Sequence, residues 1–208
     1  MTRLRTVLAL ALCTPLLAVG TASAGACAPL MTDPAGDTAV EGLVPVPEAS
    51  FDLLSLDAAS TTKALTLVVR TAADMRDETS QVGRATLVSF ALGGPRWTVQ
   101  ITDGAVQPEG SHLSNDVPGE GTTPVTSTYP TVPVAPVYSA DGRQVSVVVP
   151  YSAFAKLGTR VRAGQTLADP ALSVEATFGG ATGVGPVLDT ASSRRLYALG
   201  SRSCTRLP

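Results

Sequence analysis

Residues 96–102 read RWTVQIT, a strict alternation of polar and apolar side chains. Successive side chains of a β-strand point to opposite faces of its sheet, so Trp97, Val99 and Ile101 would share one face. This alternation predicts a strand that turns one face to a hydrophobic core and the other to water. Because Trp97 lies on the apolar face, we expect it in the core and not on an exposed platform for a ligand.

The same period of two recurs along the chain and predicts further strands. It is found at 64–70 (ALTLVVR), 143–149 (RQVSVVV) and 172–178 (LSVEATF), with a longer apolar run at 84–92 and weaker patterns at 51–57 and 194–199. The GGP turn at 93–95 and the DG turn at 141–142 each lie directly before a predicted strand. Both turns are typical of β-hairpins.

Helical signals are few. The segment 151–157 (YSAFAKL) follows Pro150 and ends at Gly158, which is the usual punctuation of a short helix. Many short strands, with at most one or two short helical turns, predict an all-β chain. We expect a single antiparallel β-sandwich of the jelly-roll or immunoglobulin-like type.

Residues 108–133 (PEGSHLSNDVPGEGTTPVTSTYPTVP) interrupt the strand pattern. They are rich in Gly, Pro and Thr and contain the only histidine of the chain, His112. Loops of this length are commonly functional or disordered. We therefore expect a long flexible loop, which is either a mobile insertion between strands or a flap over a binding face. Tyr129 and Tyr138 flank its end and are candidates for exposed aromatic rings.

The first 24 residues have the pattern of a signal peptide. Arg3 and Arg5 precede an apolar run at 7–22, and the A-x-A sequence at 22–24 is a cleavage site. The run is short and interrupted by proline and glycine, which argues against a transmembrane segment. We expect residues 25–208 to form one secreted, extracellular domain.

The cysteines are consistent with secretion. Cys13 would leave with the signal peptide, and Cys27 and Cys204 would remain near the two ends of the domain. In an oxidising compartment such a pair predicts one disulfide. The alternative is a lipid anchor on Cys27, because AGAC at 24–27 is a loose lipobox, and this would leave Cys204 unpaired.

Charge and residue types argue against several functions. The formal net charge is −2 at pH 7 and no run of Lys or Arg is present, which argues against nucleic-acid binding. A single histidine, without a G-x-S-x-G motif or a cysteine and histidine cluster, meets no usual requirement of a catalytic or zinc site. We expect no enzyme, although two carboxylates facing one cleft would suit glycoside hydrolysis.

The stretch DPAGD at 33–37 has two interpretations. The proline presets φ for a tight turn, and the glycine permits a positive φ. In this first interpretation Asp33 or Asp37 accepts backbone N–H bonds around the glycine, and no ligand is needed.

The second interpretation of DPAGD is a Ca²⁺ site, since Ca²⁺ takes six to eight oxygen ligands, often from aspartates. If the two remaining cysteines pair, Asp33 and Asp189 lie on neighbouring end segments. They would then join Asp37 as metal ligands. Asp52 and Asp57 follow at opposite parity along a predicted strand, so at most one of them can face this group.

Four stretches resemble secreted actinobacterial β-sandwich domains. They are DPAGD at 33–37, FDLLSLDAAS at 51–60, a late strand that closes on Pro150, and YALG at 197–200. Such domains are loosely similar to DOMON-like and family-9 carbohydrate-binding modules. The resemblance implies a β-sandwich, a structural Ca²⁺ at the early acidic turn, and one face that binds sugar or haem.

We therefore expect a secreted, non-enzymatic binding or accessory module. The candidate ligand is a polysaccharide, and the candidate partner is an extracellular glycan or an envelope component. One alternative is a structural or cell-envelope interaction protein without a small ligand. Another is a hydrolase that uses paired carboxylates.

Overall fold

The computed structural model describes residues 27–38, 48–76, 84–103, 110–115, 130–178, 187–193, 195–200 and 204–206. Within these ranges the chain forms thirteen β-strands, one α-helix and one 3-10 turn. The strands are β1 (Cys27–Thr32), β2 (Leu53–Ser60), β3 (Ala64–Thr71), β4 (Arg84–Ala91), β5 (Arg96–Asp103), β6 (His112–Ser114), β7 (Val132–Pro133), β8 (Pro136–Tyr138), β9 (Gln144–Pro150), β10 (Thr166–Phe178), β11 (Val187–Ser192), β12 (Arg195–Ala198) and β13 (Cys204–Arg206). The helix α1 spans Tyr151–Lys156, and the 3-10 turn spans Glu48–Ser50.

The strands form two antiparallel sheets, which confirms the predicted all-β fold. The five-stranded sheet has the order β1-β2-β3-β9-β8, and the larger sheet has the order β13-β12-β10-β4-β5-β6-β7. Strand β11 also pairs with β10. The thirteen residues of β10 allow one strand to pair with β12 near its start and with β4 and β11 further along. One hydrophobic core, made of side chains from both sheets, lies between them.

Burial follows the predicted alternation in the five-stranded sheet. Val145, Val147 and Val149 of β9 are each 0% exposed, whereas Val148 between them is 53% exposed. One face of β9 therefore lies in the core and the other faces water, as the period of two requires. The DG turn before this strand connects β8 to β9, which confirms the predicted hairpin.

The larger sheet is buried on both faces at its centre, which the alternation did not predict. In β5 the side chain of Thr98 is fully buried, although it points away from Trp97. Its Oγ1 lies 3.2 Å from Oγ of Ser89 on β4, so each buried hydroxyl has a hydrogen-bonding partner. This pair removes the cost that a lone buried hydroxyl would carry.

The helix packs its apolar residues onto this core and confirms the predicted helical turn. Phe154 of α1 meets the indole of Trp97 edge to face, with ring centroids 4.9 Å apart and planes at 85°. The indole N–H donates to the backbone oxygen of Leu92 over 2.9 Å. The prediction that Trp97 is a core residue is confirmed.

The expectation of one long loop at 108–133 is wrong in part. His112–Ser114 form β6, and Val132–Pro133 form β7. In β6, Leu113 lies opposite Val99 of β5 and is fully buried. A local composition rich in Gly and Pro could not reveal this pairing, because its stability comes from contacts with the preceding strand β5. Residues 116–129, which include Tyr129, lie outside the described residues, so the mobile insertion or flap predicted there stays a prediction.

Most of the predictions for the two ends of the chain concern residues outside the described part of the structure. The expected signal peptide (residues 1–24) and the side chains of Cys27 and Cys204 lie outside the described part. The backbones of these cysteines belong to β1 and β13, which are edge strands of the two sheets. The disulfide and the alternative lipid anchor both stay predictions. No helix among the described residues is long and apolar enough to cross a membrane.

Two turn glycines give a matched test of backbone strain. Gly36 (φ +84°) has open space around it, whereas a Cβ on Gly142 (φ +66°) would lie 1.6 Å from Oδ1 of Asp74. That carboxylate is held by two hydrogen bonds from the side chain of Arg76. We expect Gly36→Ala to cost about 1 kcal/mol from strain alone, and Gly142→Ala about 3 kcal/mol from strain and clash together. Urea unfolding measures both values. Equal losses in the two variants would contradict the steric part of the effect.

Candidate functional site

The structure brings together the three aspartates that the sequence predicts as candidate metal ligands. Asp33 and Asp37 lie in the turn after β1, and Asp189 lies in β11. One carboxylate oxygen from each lies within 4.8 Å of the other two. Asp37 is exposed, Asp33 is half-buried and Asp189 is buried.

A fourth carboxylate, Asp52, completes this acidic cluster. It directly precedes β2 and is only 4% exposed. Its Oδ2 accepts the backbone N–H of Gly36 over 2.8 Å. The prediction that Asp33 or Asp37 accepts the N–H bond of this turn is therefore wrong at Gly36. The alternation of side chains along the strand predicted only that Asp52 and Asp57 cannot both face the cluster. In the structure Asp57 forms an ion pair with Arg70 and not with this group.

Backbone hydrogen bonds hold the cluster in place. Oδ2 of Asp189 accepts the N–H of Leu53 over 2.7 Å, and its Oδ1 accepts the N–H of Thr190 over 2.8 Å. The N–H of Asp33 donates to the oxygen of Leu54 over 3.0 Å. The turn after β1, the start of β2 and strand β11 are thus joined at one point.

Burial and the neighbouring carboxylates raise the pKa of Asp33 and of Asp189. The pKa of Asp33 is raised from 3.8 to about 6, first by burial and then by the negative charges of Asp189, Asp37 and Asp52. Burial also raises the pKa of Asp189, against the lowering effect of the N–H bonds from Leu53 and Thr190. The cluster is therefore electrostatically unfavourable when all its members are ionised.

Two buried oxygens of the cluster lack a hydrogen-bonding partner in the described part of the chain. They are Oδ2 of Asp33 and Oδ1 of Asp52. A buried acceptor without a partner costs about 1–3 kcal/mol, and more when it is charged. A cation held by Asp33, Asp37 and Asp189 would offset the repulsion. Ca²⁺ binds oxygens at about 2.3–2.6 Å, so one ion can reach three oxygens with the observed spacing.

The other candidate positions do not form a site among the described residues. The Nδ1 atom of His112 lies 3.0 Å from the oxygen of Gly110, and the ring is buried. Trp97 and Tyr197 are fully buried, and Tyr138 is half-buried against the core. Among the aromatic side chains whose burial is described, Tyr138 is the one that is partly exposed.

Comparisons with protein-family models, with curated proteins and with solved structures found no match for this chain.

The raised pKa of Asp33 predicts how the stability of the cation-free protein depends on pH. Between 3.8 and about 6 the folded state binds more protons than the unfolded state, so acidification favours folding. We expect the free energy of unfolding in EDTA to rise by about 1 kcal/mol between pH 7.5 and pH 5, after allowance for screening by water. This corresponds to a melting temperature about 2–4 °C higher at pH 5.

Thermal melts in EDTA across this pH range measure the effect. Asp33→Asn should lose most of the pH dependence, because an amide does not titrate. A melting temperature that falls steadily from pH 7.5 to pH 5 would contradict this account of the cluster.

Proposed function

We propose that the chain is a secreted, non-enzymatic β-sandwich binding module that binds Ca²⁺ through Asp33, Asp37 and Asp189. The observation that carries the proposal is that one carboxylate oxygen from each of these three aspartates lies within 4.8 Å of the other two. Asp52 lies beside them, only 4% exposed, and its Oδ1 has no partner in the described chain although a buried carboxylate is expected to be fully paired.

The chemistry of the ligand atoms favours Ca²⁺ over other metals. The described cluster supplies carboxylate oxygens and neither histidine nor cysteine, which are the usual ligands of zinc and copper. Mg²⁺ requires a smaller octahedral site and retains several waters. Water at the exposed residues 34–37 would complete the six to eight ligands of Ca²⁺.

The signal-peptide pattern at residues 1–24 supports the same proposal. An exported protein meets far more Ca²⁺ outside the cell than inside. Extracellular Ca²⁺ modules bind with dissociation constants of about 10⁻⁴–10⁻³ M. A partly exposed site with carboxylates from separate segments suits that range.

Besides the ion, the module binds either a polysaccharide or no further ligand. A polysaccharide follows from the resemblance to carbohydrate-binding modules. The lack of a fully exposed ring among the described aromatic side chains favours the alternative, a structural or cell-envelope interaction protein without a small ligand. Pull-down with insoluble polysaccharides separates the two: retention supports the first, and passage through every matrix supports the second.

A ¹H–¹⁵N NMR titration of the EDTA-treated protein with CaCl₂ tests the cation site. We expect saturable shifts of the amides that donate to the cluster, which are those of Gly36, Leu53 and Thr190. The same concentrations of MgCl₂ should produce much smaller shifts, because Mg²⁺ loses its waters reluctantly.

Two single substitutions provide the matched comparison. Asp37→Asn removes one exposed ligand charge and should abolish saturation. Asp141→Asn changes an exposed aspartate in the β8–β9 turn, far along the chain from the cluster, and should leave the titration unchanged. The proposed site is wrong if CaCl₂ shifts none of the three cluster amides of the wild type. It is equally wrong if both variants titrate alike.

A further inference from the structure

The acidic cluster lies where the edges of the two sheets meet. Strand β1 is an edge of the five-stranded sheet, and β11 pairs with β10 only among the described strands. Hydrogen bonds cross between these edges: the N–H of Leu53 donates to Asp189, and the hydroxyl of Ser193 donates to the oxygen of Leu30. We call this region, formed by β1, the 33–37 turn, the start of β2, and β11, the seam.

The charges of the cluster come from both sides of the seam. Asp33, Asp37 and Asp52 belong to the five-stranded sheet and its turn, whereas Asp189 belongs to the larger sheet. Their mutual repulsion acts directly across the boundary between the sheets. The central strands β3 and β4 are held by long registers on both sides, and β5 by a long register with β4, so these strands do not depend on this point.

The seam also covers apolar side chains. Leu30 and Met31 of β1 and Leu188 and Ala191 of β11 are each less than 4% exposed. Separation of the two edges would expose these side chains and the backbone of two edge strands. Edge strands open more readily than central ones, because local stability varies across a fold.

We propose that the cation acts as a latch on the seam, locking β1 to β11 when it is bound and allowing this side of the sandwich to open locally when it is absent. The inference rests on the proposed Ca²⁺ site and adds a role to it. In this role the ion bridges carboxylates from both sheets. Exported protein would therefore close its seam on reaching a compartment that contains Ca²⁺.

Hydrogen exchange of the purified full chain, in EDTA and in CaCl₂, tests the latch. At a Ca²⁺ concentration one hundred times the dissociation constant, opening of the seam should become about one hundredfold rarer, because the ion binds only the closed state. The protected amides should lie at 30–33, 53–56 and 188–191. Amides of β4 and β5 should change little, since they exchange through openings that do not involve the seam.

Asp37→Asn separates the latch from a merely structural role of the cluster. Without Ca²⁺ its seam should be better protected than that of the wild type, because one repelling charge is gone. With Ca²⁺ it should gain little further protection. Asp141→Asn should behave as the wild type in both conditions.

The outcomes distinguish the two proposals. Protection confined to the seam supports the latch. Ca²⁺-dependent protection that is uniform over the fold, or limited to residues 33–37, overturns the latch and leaves the Ca²⁺ site intact. Identical exchange in EDTA and CaCl₂ together with an absent NMR titration overturns both.

Discussion

Replacement of Trp97 by alanine is expected to lower the free energy of unfolding by about 3–5 kcal/mol. The side chain is fully buried, and it is the largest of the completely buried side chains. Alanine would remove its edge-to-face contact with Phe154, whose ring centroid is 4.9 Å away. It would also leave the oxygen of Leu92 without the indole N–H that now reaches it over 2.9 Å. The cavity would lie between α1 and the larger sheet, where the neighbouring strands cannot collapse to fill it.

Urea unfolding followed by circular dichroism measures this loss. Trp97→Phe keeps a ring against Phe154 but removes the indole N–H, so we expect it to cost about half as much. Val148→Ala, on the water-facing side of β9, should change stability by less than about 0.5 kcal/mol. A similar cost for Val148→Ala and Trp97→Ala would mean that the assignment of inner and outer faces is wrong.

Saturating Ca²⁺ is expected to raise the melting temperature by about 5–10 °C at pH 7.5. A ligand that binds only the folded state at one hundred times its dissociation constant stabilises it by about 2.7 kcal/mol. For a chain of this size each kcal/mol corresponds to about 2–4 °C. EDTA should reverse the shift completely.

Thermal melts of the aspartate variants show whether this shift comes from the cluster. Asp37→Asn should lose most of the response to Ca²⁺ and should melt slightly above the wild type in EDTA, since one charge of the cluster is removed. Asp141→Asn should retain the full response. A melting temperature that is indifferent to Ca²⁺ and to EDTA would favour the other interpretation of DPAGD, a turn that needs no ion.

Most central strands and the helix could be predicted from local pattern. Strands β3, β5 and β9 lie within a residue or so of the segments 64–70, 96–102 and 143–149. Their side chains alternate between core and surface, so a short run of consecutive residues is enough to recognise the strand. Strand β6 was missed, because three residues are too few to show a period and their burial depends on Val99 of a different strand.

The candidate site was predictable in its members but not in its arrangement. Asp33, Asp37 and Asp189 were nominated from an acidic turn and from the expected closeness of the chain ends. The sequence does not predict that Asp52 lies beside the other three aspartates, because the alternation of side chains assigns a residue to one face of a sheet and does not identify its neighbours on that face. Its bond to the N–H of Gly36 joins residues sixteen positions apart.

The residue pattern alone predicts an all-β chain, its main hairpins, its short helix and the core-facing side of β3, β5 and β9. These features depend on interactions between near neighbours and on the two-residue period of a strand. The contact between β1 and β11 at the seam and the convergence of carboxylates from both sheets became visible only in the fold. Both features join segments far apart in the chain, because the packing of the two sheets, and not local preference, sets the distance between them.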